Sequence, residues 1–294
     1  MINFNRTISL TMYWFKILKI KILICACLSL FLLPSANAYI LQGEHILQLM
    51  IEKINLPKRL SLNQLISFVD TGIEAEMINA EHVQLVRYQI PGQFRSDINV
   101  EDLKQIQVVS SDNSLTVIDD RIVADSETWM DHYKDIFIFR SRQQMVEKLE
   151  SLGINFSVTS LGRYNGEICF VLGAEYPDES VPQLWVAKDT FQPVRWIFET
   201  SEISAITGVV EKREIHYGNW KSHYKSSYPA MIDFYQGQNL VQHIVVQRVE
   251  INPSFAEDLF DLENKLKLSL LLKLIDYNFY LFQGYKEKIT TFED

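Results

Sequence analysis

His82-Val83-Gln84-Leu85-Val86-Arg87-Tyr88-Gln89-Ile90 runs into Pro91-Gly92, and Gln93-Phe94-Arg95-Ser96-Asp97-Ile98 returns. Alternating, β-branched and aromatic residues on either side of a Pro-Gly pair are the pattern of a β-hairpin. A second hairpin lies at Gln183-Leu184-Trp185-Val186-Ala187-Lys188, then Asp189-Thr190-Phe191-Gln192, then Pro193-Val194-Arg195-Trp196-Ile197-Phe198. Trp185 and Val186 point to opposite faces, as do Trp196 and Ile197, so both faces carry apolar bulk. A sheet with one wet side does not need that. Either layers pack on both faces, or the sheet curls around an apolar cavity.

Outward from these hairpins the pattern is the same. Short apolar segments broken by turn residues fall at 62–69, 82–90, 93–98, 105–109, 114–118, 154–159, 166–173, 183–188, 193–199, 206–217, 230–235 and 239–251, the spacing of a mainly-β domain. Two stretches read as helix. Ile46, Leu47, Met50, Ile51 and Ile54 form a stripe over Gly43 to Ile54, closed by Pro57. Met145, Leu149 and Leu152 share a face over Ser141 to Leu152, with Gly153 as the C-terminal cap. There is no internal repeat or linker, so a single domain is expected.

The N-terminus reads as an export signal over residues 1–38. Arg6, Lys16, Lys19 and Lys21 precede the apolar run Ile22 to Leu33, which is too short to span a bilayer. Ala36-Asn37-Ala38 then supplies a small-x-small cleavage pattern, predicting a mature start at Tyr39. An uncleaved anchor and a lipobox around Cys25 and Cys27 are the alternatives. The full chain of 294 residues carries a charge of −9; loss of the signal removes four basic residues and no acid, leaving 256 residues at −13. Such an acidic chain is a poor sequence-independent nucleic-acid binder, so no nucleic-acid partner is expected. Cys169 is then the remaining cysteine, inside an apolar run, so no intrachain disulfide forms.

Several segments together resemble the LolA-like lipoprotein localisation factors of Gram-negative bacteria. They are the Arg-bearing strand into Pro91-Gly92-Gln93-Phe94-Arg95, the stretch Gln107 to Asp119, Leu184-Trp185-Val186-Ala187-Lys188-Asp189-Thr190 with Pro193-Val194-Arg195, and Val246 to Pro253 with Leu259-Phe260-Asp261-Leu262. The resemblance spans 39–262. It implies a strongly curved antiparallel half-barrel with a helical lid on its concave side. It also implies a periplasmic, non-catalytic carrier or chaperone for the acyl chains of lipoproteins or related lipids, served by membrane-bound donor and acceptor proteins. A groove needs no catalytic group for that, since each buried methylene contributes about 0.8 kcal/mol. Two departures stand out: Ile90 replaces the family's Arg before the Pro, and Ser111-Asp112-Asn113 lacks the usual Gly. The carriers' release mechanism therefore does not transfer.

Alternation along the strands puts Val83, Leu85, Phe94, Val108, Val117, Trp185 and Trp196 in the expected groove, with Ile46 and Met50 from the lid helix. No cofactor and no metal are expected: His45, His82, His132, His216, His223 and His243 are scattered, with Gly218 marking a turn between His216 and His223. The chain has no G-x-S-x-G or H-E-x-x-H, and Asp131-His132 is a triad candidate by residue type alone. The other class is a lipid- or lipoprotein-sensing interaction protein, like the RseB- and MucB-type regulators of sigma-factor signalling. Those carry a second domain, for which residues 263–294 leave too little chain. That stretch, apolar nearly all round from Leu266 to Phe282, is expected to be a helical extension that is buried or meets a membrane.

Overall fold

The computed structural model describes residues 41–69, 81–100, 103–110, 113–119, 121–198, 212–223 and 226–261. The expected signal peptide with its Ala38–Tyr39 junction and the apolar extension 263–294 lie outside the described residues. Among the described residues, thirteen strands form one antiparallel sheet in the order β6-β5-β4-β3-β2-β1-β13-β12-β11-β10-β9-β8-β7. The sheet does not close on itself, and β6 and β7 are its edges.

The strands are β1 (Arg59–Phe68), β2 (Glu81–Gln89), β3 (Gln93–Val100), β4 (Leu103–Ser110), β5 (Asn113–Ile118), β6 (Arg121–Ala124), β7 (Thr159–Tyr164), β8 (Glu167–Leu172), β9 (Gln183–Ala187), β10 (Pro193–Phe198), β11 (Arg213–His223), β12 (Ser226–Gln236) and β13 (Asn239–Ile251). Two meanders, β1–β6 and β7–β13, join in the middle, where Leu60 faces Ile251 and Ile66 faces Ile244. Between them runs a segment with a 3₁₀ turn (Trp129–Lys134) and two helices, α2 (Asp135–Ile138) and α3 (Arg142–Ser151). Helix α1 (Gly43–Ile54) precedes β1.

Both expected helices are present. Asn55, at φ 34°, ends α1 in the left-handed region and donates its N–H to the Ile51 carbonyl. Ser141 caps α3 by accepting from the Gln144 N–H at 3.1 Å. Two expectations fail. Residues 154–158 are not a strand; β7 begins at Thr159. Nor is there a turn at Gly218, because β11 runs from Arg213 to His223 and pairs with β12 on both sides of that glycine. A glycine suits this place because the Met231 side chain lies across it.

One apolar cluster gathers the inner face of the sheet and the helices: Ile46, Leu47, Met50 and Ile54 of α1, Tyr133, Ile136 and Phe137 of the central segment, and Leu62, Val86, Tyr88, Phe94, Trp196, Ile215 and Phe234 of the sheet. The outer face carries two smaller clusters. Cys169, Val171 and Trp185 form one, and there Gly162 lets the Trp185 ring lie against the strand, since a Cβ would come within 2.6 Å of it. Ile106, Val108, Leu115 and Phe260 form the other, beneath the chain that follows β13.

The outer face also holds ionic clasps. Arg95 makes two bonds to Asp97, at 2.8 and 2.7 Å, while Arg87 makes a third at 2.6 Å and the Arg95 Nη1 holds the Leu259 carbonyl at 3.1 Å. Arg195 grips Glu214 with two bonds of 2.7 and 2.6 Å, and His216 Nε2 lies 2.8 Å from the same carboxylate. Burial alone would raise the Glu214 pKa, but those partners hold it down at about 2 against an ordinary 4.5. A carboxylate depressed in the folded state stabilises above its unfolded pKa and loses that contribution as pH falls through the folded value. The stability gap between wild type and Glu214→Gln should therefore be full at neutral pH, shrink below about 4.5 and vanish near 2. Urea titrations at stepped pH measure it; a gap independent of pH would show that the clasp contributes nothing.

Candidate functional site

Strand register decides which side chains face the lid. Tyr88 pairs with Phe94 and Val86 with Ser96, and Tyr88 and Val86 are fully buried in the inner cluster. Their neighbours Val83, Leu85 and Arg87 therefore point outward. Val83 is 64% exposed, and Leu85 lines an outer cleft with Ser61, Asn63, Arg87 and Phe255. By the same logic Val109 is inner while Val108 and Val117 belong with the outer cluster under Phe260. Trp196 pairs with Leu184 and is inner, whereas Trp185 pairs with Arg195 and is outer. Of the nine expected groove residues, the fold brings Ile46, Met50, Phe94 and Trp196 together. Val83, Leu85, Val108, Val117 and Trp185 are corrected to the other face.

The inner face is aromatic across much of its width. Tyr88 meets Phe94 edge-on at 5.2 Å, Phe137 of the lid lies 4.5 Å from Tyr228, and Trp196 stacks on Phe198 at 4.7 Å. His132 of the 3₁₀ turn stacks on Phe198 in turn. The lid covers the middle of this face: Ile46, Met50, Phe94, Phe137, Trp196 and Phe234 have no exposed surface. Anything bound there must displace the lid.

Three kinds of polar contact secure the lid, to the sheet and within itself. The Tyr217 hydroxyl donates to the Tyr133 carbonyl at 3.2 Å, and the Gly92 N–H to the Ile138 carbonyl at 3.0 Å. Arg140, between α2 and α3, donates to the Ile51 carbonyl at the end of α1, tying the two lid segments together. Burial lowers the Arg140 pKa to about 10. Position 90, where the resembling carriers have Arg, holds an Ile packed against the inner cluster.

The third contact is a buried ionic network within the lid. Lys134 has no exposed surface and Asp135 only 1%. Lys134 Nζ bonds Glu127, donates to the Asp131 carbonyl at 2.7 Å and lies 3.6 Å from Asp135 Oδ1. Lys148 reaches Glu127 and Asp135, both at 3.4 Å, and His132 Nδ1 is 2.9 Å from Asp135 Oδ2. Burial would raise the Asp135 pKa, yet Lys134, His132 and Lys148 hold it below the usual carboxylate range. Glu127, His132 and Asp135 could present three metal-ligand atoms within 4.8 Å of one another. Their carboxylates are already neutralised by two ammonium groups, so the chemistry is that of an ion-pair network. Asp131, the triad candidate, instead caps the 3₁₀ turn by accepting from the Thr128 N–H and hydroxyl, both at 2.7 Å. The sequence signal for this network was the cluster of charges Glu127, Asp131, Lys134 and Asp135 just ahead of the apolar run 136–139, which reads equally well as a solvated loop.

No protein-family model matches the chain, and no curated protein matches it. Solved structures do. A domain from Vibrio parahaemolyticus, named for outer-membrane lipoprotein sorting, superposes with a TM-score of 0.53 at 10% identity, over 76% of this chain and 97% of its own. A LolA superfamily protein from Nitrosomonas europaea gives 0.50 at 11% identity, over 76% and 100%. The chain has a LolA-like fold. A DUF1329-family protein from Desulfovibrio piger shares it, at TM-score 0.52 and 11% identity over 76% and 97%. At these identities the likeness is one of architecture: an open curved sheet with a helical lid. The LolA-like half-barrel and helices expected from sequence are both present, and the chemistry of the lid is this chain's own.

Proposed function

We propose that this protein is a periplasmic carrier that holds acyl chains of lipoproteins, or related lipids, between the inner face of the sheet and the lid, without catalysis. The observation that carries the proposal is the seam itself. A broad aromatic face is covered by helices from two separate chain segments, 43–54 and 129–151, rather than by a second sheet. Helices joined to a sheet mostly by side chains can lift as a unit without breaking any strand ladder. Ile46, Met50, Phe94 and Trp196 are then ligand-facing. Each methylene of an acyl chain that replaces the lid gains about 0.8 kcal/mol, set against the contacts the lid gives up. Export with cleavage between Ala38 and Tyr39, and membrane-bound donor and acceptor proteins, belong to the same proposal.

Titration with a fatty acid or lipopeptide should change indole emission and saturate at about one ligand per protein. The change should survive Trp185→Phe, on the outer face, and shrink in Trp196→Phe. Mass spectrometry of organic extracts from protein purified out of a native periplasm should find acyl chains. An unresponsive wild type with nothing acyl bound to it would end the carrier reading.

A further inference from the structure

The linker that carries α1 into β1 ends at Lys58 and Arg59, and its backbone is pinned on both sides. The Ile90 N–H donates to the Lys58 carbonyl and the Asn252 N–H to the Arg59 carbonyl, both at 2.8 Å, while the Arg59 N–H donates to Asn252 Oδ1 at 3.3 Å. Those bonds engage only the main chain of Lys58 and Arg59. With Gln89, Ile90 and Asn252, the two basic side chains line an open cleft of about 630 Å³. No acid lines it, although the chain holds 37 acidic residues against 28 basic ones. Arg87, Arg95, Lys134, Lys148 and Arg195 each pair with a carboxylate, whereas Lys58 and Arg59 pair with none among the described residues. The cleft also adjoins the seam. Ile90 lines it and packs against the inner cluster, as does Leu56 of the linker, and two residues on Gly92 is bonded to the lid at Ile138. Sheet rim, linker and lid therefore meet at this cleft.

We propose that this cleft takes a phosphate head on the acyl ligand, whose chain enters the seam past Ile90. The Arg59 guanidinium offers a fork of N–H donors that matches two phosphate oxygens, and the Lys58 ammonium adds a compact charge. Asn252, its Oδ1 taken by the Arg59 N–H, keeps its Nδ2 to donate. Inorganic phosphate has the same chemistry; what favours a phosphate tethered to a chain is the apolar Ile90 that leads from the cleft to the inner cluster. The inference rests on the carrier reading and adds the head group by which the groove selects among lipids.

The test titrates the whole protein with 1-myristoylglycerol and with 1-myristoylglycerol 3-phosphate, which differ by the phosphate alone, and reads indole emission. Wild type should bind the phosphate about tenfold more tightly, by an advantage that shrinks with added salt. The double variant Lys58→Gln, Arg59→Gln should bind the two lipids equally, and unchanged affinity for the neutral lipid will show that its groove is intact. Lys58→Glu alone should reverse the order. Inorganic phosphate, followed by calorimetry, should bind at least about a hundredfold more weakly than the lipid phosphate, because it brings no methylenes to bury. Equal affinity for the two lipids in wild type overturns the inference while the carrier reading stands, and so does a phosphate advantage that survives both variants. Inorganic phosphate bound as tightly as the lipid phosphate makes the cleft a site for the free ion and overturns the tethered head. A wild type that binds neither lipid takes down the carrier reading and this inference with it.

Discussion

Lys134→Met should cost about 3–5 kcal/mol, the range for removing one partner from a buried ion pair. The aliphatic stem is nearly conserved in length, so what is lost is the ammonium. Glu127 and Asp135 are then left to Lys148, 3.4 Å from each and itself 21% exposed, with His132 beside Asp135. The Asp131 carbonyl loses its donor as well. A urea titration should show a lower midpoint with little change in slope, because the surface exposed on unfolding is the same. The companion change Asp135→Asn on the same background should recover part of the loss, since the stranded charge is gone. A drop under about 1 kcal/mol for Lys134→Met would mean that water reaches the network and that the lid is loosely seated.

The second large effect separates two adjacent residues. Val86→Asp should prevent folding: Val86 is fully buried in the inner cluster, and an unpaired carboxylate there costs several kcal/mol. Leu85→Asp should melt cooperatively near the wild-type temperature and bind ligand unchanged. Its side chain faces a half-open outer cleft that already holds Arg87 and Arg248. Circular dichroism melts and ligand-induced tryptophan emission read the two outcomes. Equal damage from both would contradict the strand register.

That contrast also shows what could be read from the chain. The helix over Gly43–Ile54 and most strands followed from periodicity, because helical and strand spacings differ too much to be confused over such lengths. The inward face was harder. In Val83, Leu85 and Val86 a strand offers apolar residues to both sides, so alternation alone does not choose. The Pro91-Gly92 turn did contain the answer. With Gln89 opposite Gln93, Phe94 faces Tyr88 and Ser96 faces Val86, so Phe94 and Leu85 cannot share a face. Likewise Trp185 opposite Arg195 excludes Trp185 from the side of Trp196. The lid network escaped for a different reason. Lys134 and Asp135 look like solvated charges until tertiary packing buries them, and Gln64 and Gln84 look like an outer row until the register turns them inward.

The junction of β1 with β13 in the middle of the sheet has a consequence for how the molecule comes into being. Every other pairing among the described strands joins neighbours in sequence, but Leu60 waits for Ile251. Pairings between distant parts of a chain are slow, since loop closure must be completed before the contact rewards it. A chain emerging N-terminus first can build the β1–β6 meander early, yet the free side of β1 stays bare until the final strand arrives. During that interval its unpaired backbone and the uncovered aromatic face invite association with other chains. Newly made protein should be at its most vulnerable then, so that the kinetic bottleneck of assembly is the seam that, once formed, lies deepest inside the sheet.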